Sequence, residues 1–279
     1  AYKGLRRLLP GALLLLWAWG ALVSEVKGQD NIYWRDESTT GDWEYGGPCG
    51  SPDGNNHWYN AATASNLYRP DCGAISRILR FDNLNGYQSD MRLNGLEDYS
   101  VNRIIFEAGN IDRYLNPGDP LNPRSLYFYQ VGTSDAVIEN AVAFTTHYFN
   151  VNVNIEGATT WMQIVVTAGY LQFNNTVINN SGNTLNIKGI GGHQVIFNGP
   201  LLSSIGAPGV AIANDPGQNV HVIYQGPDNS ATYNGPTTLY SGATLQISTN
   251  QTLGDIVLNS GATLIIDAGV TLTVTGSWT

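Results

Sequence analysis

From about residue 100 onward, short apolar runs alternate with Gly, Asn and Pro. Val151-Asn-Val-Asn-Ile155 switches between apolar and polar at every step, the period-two signature of a half-buried strand. Val101-Asn-Arg-Ile-Ile-Phe106 runs to Ala108-Gly109, and Trp161-Met-Gln-Ile-Val-Val166 runs to Thr167-Ala168-Gly169. Gln194-Val-Ile-Phe197 stops at Asn198-Gly199, and Val220-His-Val-Ile-Tyr224 stops just before Gly226-Pro227. No stretch carries a convincing helical stripe with caps. Strands punctuated by turn residues dominate the pattern.

One unit recurs. Ser181-Gly-Asn-Thr-Leu-Asn-Ile187 returns as Ser241-Gly-Ala-Thr-Leu-Gln-Ile247 and as Ser260-Gly-Ala-Thr-Leu-Ile-Ile266. It returns more loosely as Ala268-Gly-Val-Thr-Leu-Thr-Val274, and Ala168-Gly-Tyr-Leu-Gln-Phe173 is a shortened relative. The step from 241 to 260 is close to one turn of a three-sided coil, and the step from 260 to 268 to one side of it. Within a unit, Gly supplies a positive φ at a corner. Leu245 and Ile247 then face one way, Thr244 and Gln246 the other. A lone unit cannot bury its apolar face, so units must stack. The reading is an all-β, right-handed parallel β-helix (solenoid), with Leu185, Leu245, Leu264 and Ile266 turned inward. An aromatic, disulfide-tied N-terminal section precedes it.

Composition sharpens this picture. The 279 residues are 42% hydrophobic and only 13% charged, so Asn, Thr, Ser and Gly must keep the surface wet. Lys3, Arg6 and Arg7, followed by the apolar run Leu8–Val23 and the small residues Val26 and Gly28, read as a signal peptide over residues 1–29. The competing reading, a membrane anchor, needs about 20 apolar residues, more than the run provides. Losing that segment removes four basic residues and Glu25, which deepens the net charge from −9 to about −12. Lys188 is then the one lysine left, and Arg124 the last arginine. Clustered cations for nucleic acid or an anionic membrane surface are missing, so neither is expected as a partner.

Residues 30–125 hold both cysteines, all eight remaining arginines and Trp34, Trp43 and Trp58, whereas residues 126–279 hold no Arg or Cys. This divides the chain into a cap-like section, 30–125, and a repeat region, 126–279. In an exported protein Cys49 and Cys72 most simply form a disulfide. Zinc with His57, spaced C-x7-H-x14-C, and free thiols are the alternatives. Trp34, Trp43, Trp58, Tyr45 and Tyr59 suit either an aromatic plug over the first turn or a platform for stacking sugars.

The G-x-T-L-x-I/V units resemble the β-strand repeats of autotransporter passengers. The opening Ile32-Tyr-Trp-Arg-Asp36, Thr40-Gly-Asp-Trp43, His57-Trp-Tyr59 and Cys72, followed by Val101 to Gly109, resembles the start of large secreted surface proteins of the Bacteroidetes type. The resemblance covers most of residues 30–279 and implies a surface-exposed, adhesin-like or structural role. It supplies no catalytic residues. Such proteins are usually much longer, so the array, still in repeat at Thr279, is expected to continue beyond it or to associate end to end.

Chemistry is thin in the repeat region. Asp135, Glu139, Glu156, Asp215, Asp228, Asp255 and Asp267 are scattered, and Asp215 sits in the turn Asn214-Asp215-Pro216-Gly217. A β-helix glycosidase needs two carboxyls about one sugar, and a lyase of the pectate type needs a cationic base, for which only Lys188 is present. Asp36-Glu37, Asp42 with Glu44, and Glu97-Asp98 read as salt-bridge partners of Arg35, Arg77, Arg80, Arg92 and Arg103. Ser51-Pro-Asp-Gly-Asn-Asn56 is a turn without EF-hand spacing. His57, His147, His193 and His221 form no metal motif, and Gly189-Ile-Gly-Gly192 leads into a strand, not a helix. The expectation is an exported cell-surface or secreted protein without catalytic residues, metal or cofactor. Its expected partner is a host or environmental surface, a glycan or another extracellular polymer. A glycan-active β-helix enzyme or a carbohydrate-binding module is the alternative.

Overall fold

The computed structural model describes residues 30–34, 58–60, 77–81, 90–93, 99–107, 111–117, 124–131, 135–156, 162–203, 209–233 and 235–279. All regular elements among them are strands. The chain is a parallel β-solenoid in which each turn lays one strand on each of three faces. Face A runs from Arg77–Phe81 through Arg103–Phe106, Ala136–Asn140, Met162–Val166, Leu185–Gly189, Val210–Ile212 and Thr237–Leu239 to Ile256–Leu258. Face B runs from Asp90–Leu93 through Arg113–Pro117, Thr146–Phe149, Tyr170–Phe173, His193–Phe197, Val220–Tyr224 and Ala243–Ile247 to Thr263–Ile266. Face C takes the third strand of each turn, from Tyr99–Val101 to Leu272–Val274.

Alternation builds the core. In Ala243–Ile247 the odd positions are buried and the even ones half-exposed. Strand spacing of about 4.8 Å puts like side chains on top of each other. Phe149, Phe173 and Phe197 stack in one inner column, with ring centroids 4.9 and 5.3 Å apart. Tyr224 continues the column edge-on, and its hydroxyl meets that of Tyr233, 3.1 Å away inside the core. An amide ladder runs outside, along the corner between faces B and C. There Asn174 Nδ2 donates to Asn150 Oδ1 at 2.6 Å, and Asn198 Nδ2 to Asn174 Oδ1 at 2.7 Å.

The repeated unit is a corner plus a strand, and it serves all three edges. Gly242 and Gly261 turn the chain from face A to face B, Gly182 from C to A, and Gly269 from B to C, all with positive φ. Leu245 lies beside Leu264, as the spacing of 19 predicts. Leu185 and Leu245 point inward and are buried. Ile266 lies in the inward column of Ile247, as expected, but 44% of its surface is exposed because no described strand covers it on face B. Leu264 is half-buried for the same reason.

Two expectations change. Val101–Phe106 is not one run but two strands on different faces, Tyr99–Val101 and Arg103–Phe106. Between them Asn102 is a buried corner, its Nδ2 donating to the Tyr129 carbonyl at 2.7 Å. Asn186, in the place of the repeat that Gln246 holds on the outward side, is buried, and the Asn214 carboxamide donates to it at 2.6 Å. The change of composition at residues 125 and 126 is not a gap in the stack. Strand Ser125–Tyr129 begins there and pairs with Tyr99–Val101 on one side and Asn152–Glu156 on the other.

Candidate functional site

The corner from face A to face B is the most elaborate edge. Three of its connections, 167–169, 190–192 and 240–242, turn the chain with three residues each. Two of the longer ones stand out. Residues 141–145 carry Phe144, and residues 213–219 form a loop that stands out from the corner.

That loop is folded by its own sequence. Ala213, at φ 57°, ends the face A strand, and Pro216 precedes Gly217, which takes φ 79°. Asp215 and Gln218 close the turn, with the Gln218 N–H directed to the Asp215 carbonyl at 3.4 Å. Both ends are tied to the preceding turn. The Ala213 N–H donates to Ile187 O at 2.9 Å, and the Asn219 N–H to Gly189 O at 2.9 Å. In the middle, Lys188 Nζ meets Asp215 Oδ2 at 2.7 Å. Half-exposed pairs of this kind stabilise little. This one orients the loop against face A.

Residues 240–242 of the next turn stand against the loop. Between the two lies an open groove of about 500 Å³, lined by Asn214, Asp215, Gln218, Asn219, Tyr240 and Ser241, with Pro216 and two glycines at its margin. Tyr240 leaves 38% of its surface exposed. Asp215 takes both Lys188 and the Gln218 side-chain amide on Oδ2. The groove offers amides, a hydroxyl, one ring and one carboxylate: equipment for hydrogen bonding and ring contact.

The sequence named Lys188 and Asp215 separately, and the fold brings them together. Four of the other acidic residues hold structural bonds between turns. Glu156 accepts from Asn180 Nδ2, Asp228 from Asn250, Asp255 from the Ser277 N–H and Asp267 from Gln246. Arg80 pairs with Glu107 across adjacent turns, and Arg103 Nε donates to the Asp135 carbonyl. Among the described residues no group of three or more His, Cys, Asp or Glu could hold a metal ion. His193 and His221 lie half-exposed on face B, whereas His147 is in the core beside Arg113.

Trp34 and Trp58 are register partners in an antiparallel pair, Asp30–Trp34 with Trp58–Asn60, in which Tyr33 sits opposite Tyr59. This pair ends the face A sheet at its N-terminal side. Trp43, Cys49, His57 and Cys72 lie outside the described residues, as do the carboxylate pairs of the N-terminal section. Tyr240 was missed. Its neighbours in sequence mark only a repeat corner, and its partners in the groove come from the previous turn.

No protein-family model, curated protein or solved structure matches the chain.

Proposed function

We propose that this chain is an exported, surface-presented or secreted β-solenoid that acts by contact, in an adhesin-like or structural role, without catalysis. Residues 1–29 are its signal peptide, Cys49 and Cys72 tie its N-terminal section, and its coil is right-handed, the sense nearly all parallel crossovers take.

One observation supports the contact role. Four large apolar side chains are exposed along the same edge: Phe144 (100%), Tyr170 (38%), Ile190 (50%) and Tyr240 (38%). Single exposed apolar residues are ordinary, but a row of them on one edge marks an interaction site. Phe144 breaks two local rules at once, being fully exposed and at φ 61°. Its turn is rigid. The Val142 N–H donates to Asn140 Oδ1 at 2.8 Å, and Thr145 Oγ1 donates to the Val142 carbonyl at 3.0 Å. A strained residue held by an ordered frame is a prepared contact. The partner proposed is an extracellular polymer.

The test is retention of the purified chain on immobilised polysaccharides, mucin-type glycoprotein and collagen. The variant Phe144→Ser/Ile190→Ser/Tyr240→Ser should lose retention while keeping its thermal transition. Equal retention by the variant, or none by the unaltered protein on any surface, would end the contact reading. Expression in a Gram-negative host should yield a mature N-terminus near Gln29, and thiol titration without reductant should find no free cysteine.

A further inference from the structure

We infer that the groove between loop 213–219 and residues 240–242 binds an uncharged glycan chain. The inference deepens the contact reading above and rests on it for the choice of an extracellular polymer.

The groove has the size of a ligand site, about 500 Å³ where such sites span roughly 300–1,000 Å³. Its lining is unlike that of most small-molecule sites, which are apolar with a few polar groups. Here Asn219 supplies an amide, Ser241 a hydroxyl and Asp215 a carboxylate, around the single ring of Tyr240, while the Asn214 and Gln218 amides are engaged with Asn186 and Asp215. A ligand that satisfies this set needs many hydroxyls that both donate and accept, together with a weakly apolar face for the ring. A sugar has both. Tyrosine suits the role, offering a rigid apolar body with a polar tip.

Charge narrows the class. Lys188 already neutralises Asp215 at 2.7 Å, so a cation would meet a spent carboxylate beside an ammonium. An anionic polymer would meet a chain of net charge −9 and, at the groove, no cation beyond the Lys188 already paired with Asp215. Neither penalty applies to a neutral glycan. Lys188 and Gln218 both meet Asp215 at Oδ2, which leaves Oδ1 to accept a sugar hydroxyl. Hydrogen bonds to a charged acceptor are the stronger kind.

Form argues for a chain and not a single sugar. The groove is open, so a polymer can pass through it. The exposed row continues beyond it at the same corner, with Ile190, Tyr170 and Phe144 on successive earlier turns about 4.8 Å apart.

Native affinity electrophoresis of the full chain tests this. The gels contain hydroxyethylcellulose, galactomannan or xylan, with polygalacturonate as the anionic control. At least one neutral polymer should retard the protein, and polygalacturonate should not. Tyr240→Ala should weaken retardation at least tenfold, and Asp215→Ala severalfold. Tyr240→Phe should stay within about threefold, showing that the ring acts and that loss in the alanine variant is not misfolding. Retardation untouched by Tyr240→Ala and Asp215→Ala overturns the groove assignment while leaving the contact reading intact. So does binding to collagen or mucin with no neutral glycan retained. Loss of retention on every surface removes both.

Discussion

Acidification should weaken the solenoid through one buried ring. His147 is 1% exposed on the inner side of face B. It stacks on Phe106 at 3.9 Å, lies in register beside Arg113, and has its Nε2 3.3 Å from Thr145 Oγ1. Arg113 is itself buried, with its guanidinium 5.6 Å from the centre of the Phe81 ring. Burial first, and then the Arg113 charge, lower the His147 pKa from 6.5 to about 3. The native state therefore keeps His147 neutral where the unfolded chain protonates it. Above pH 6.5 neither form is charged and nothing is lost. Between pH 6.5 and about 3 the unfolded chain binds a proton that the native protein refuses, so stability falls as pH falls, by about 1.4 kcal/mol per pH unit. At pH 5 the unfolded ring is protonated roughly thirtyfold over neutral, which corresponds to about 2 kcal/mol. The comparison is urea unfolding at pH 7.5 and pH 5.0 for the protein and for His147→Phe, which keeps a ring over Phe106 and cannot titrate. Carboxylates affect both proteins alike, so the difference between their pH dependences isolates His147. The unaltered protein should lose about 2 kcal/mol more than the variant. Equal dependences would show that the ring is protonated in the native state and that the burial argument fails.

Three further outcomes follow from the packing. Phe173→Ala, between Phe149 and Phe197 in the inner column, should cost about 3–5 kcal/mol in the same unfolding assay; a cost near zero would mean the rings do not form one column. Gly217→Ala, at φ 79° with open space around it, should cost about 1–2 kcal/mol, the usual penalty of a left-handed residue with a side chain. Gly169→Ala should cost clearly more, because its Cβ would lie 2.4 Å from the carbonyl oxygens of both Thr145 and Val142; equal melting temperatures for the two variants would contradict that geometry. Asn174→Ala removes two ladder bonds and should cost about 1–2 kcal/mol by calorimetry, whereas no change would make the ladder ornamental.

The strand alternation of Leu245 and Ile247 and the glycine corners were legible because they are local. Period two and a positive φ are written into five or six adjacent residues. What the repeat could not say is which face a unit occupies. Ser181–Ile187 leads into face A and Ser241–Ile247 into face B, though both read Ser-Gly-x-Thr-Leu-x-Ile. Asn102 was misread because a one-residue corner inside an apolar run looks like a polar position of a strand. The amide ladder escaped because its members stand 34, 24, 24 and 27 residues apart, with no fixed period to detect. Arg113 and His147 gave no sign of burial, since only the stacking of neighbouring turns encloses them. The groove was invisible for a related reason: a long corner loop and a short one become its two walls only when one turn lies on the next.

The amide ladder also has a direction. Asn150, Asn174, Asn198 and Gln225 each send an N–H back to the oxygen of the turn before. Bond dipoles aligned head to tail polarise one another, so this edge of the coil carries a local dipole between Asn116 and Gln225. The same chain of bonds works as a ruler. Two successive steps measure 24 residues, so a block of that length copied or excised between Asn150 and Asn198 would rejoin both the ladder and the aromatic column in phase. A block of any other length would have to take up the difference in a corner, which is where loop 213–219 carries its extra residues. Such an array can change length by whole turns, while novelty collects at its edges.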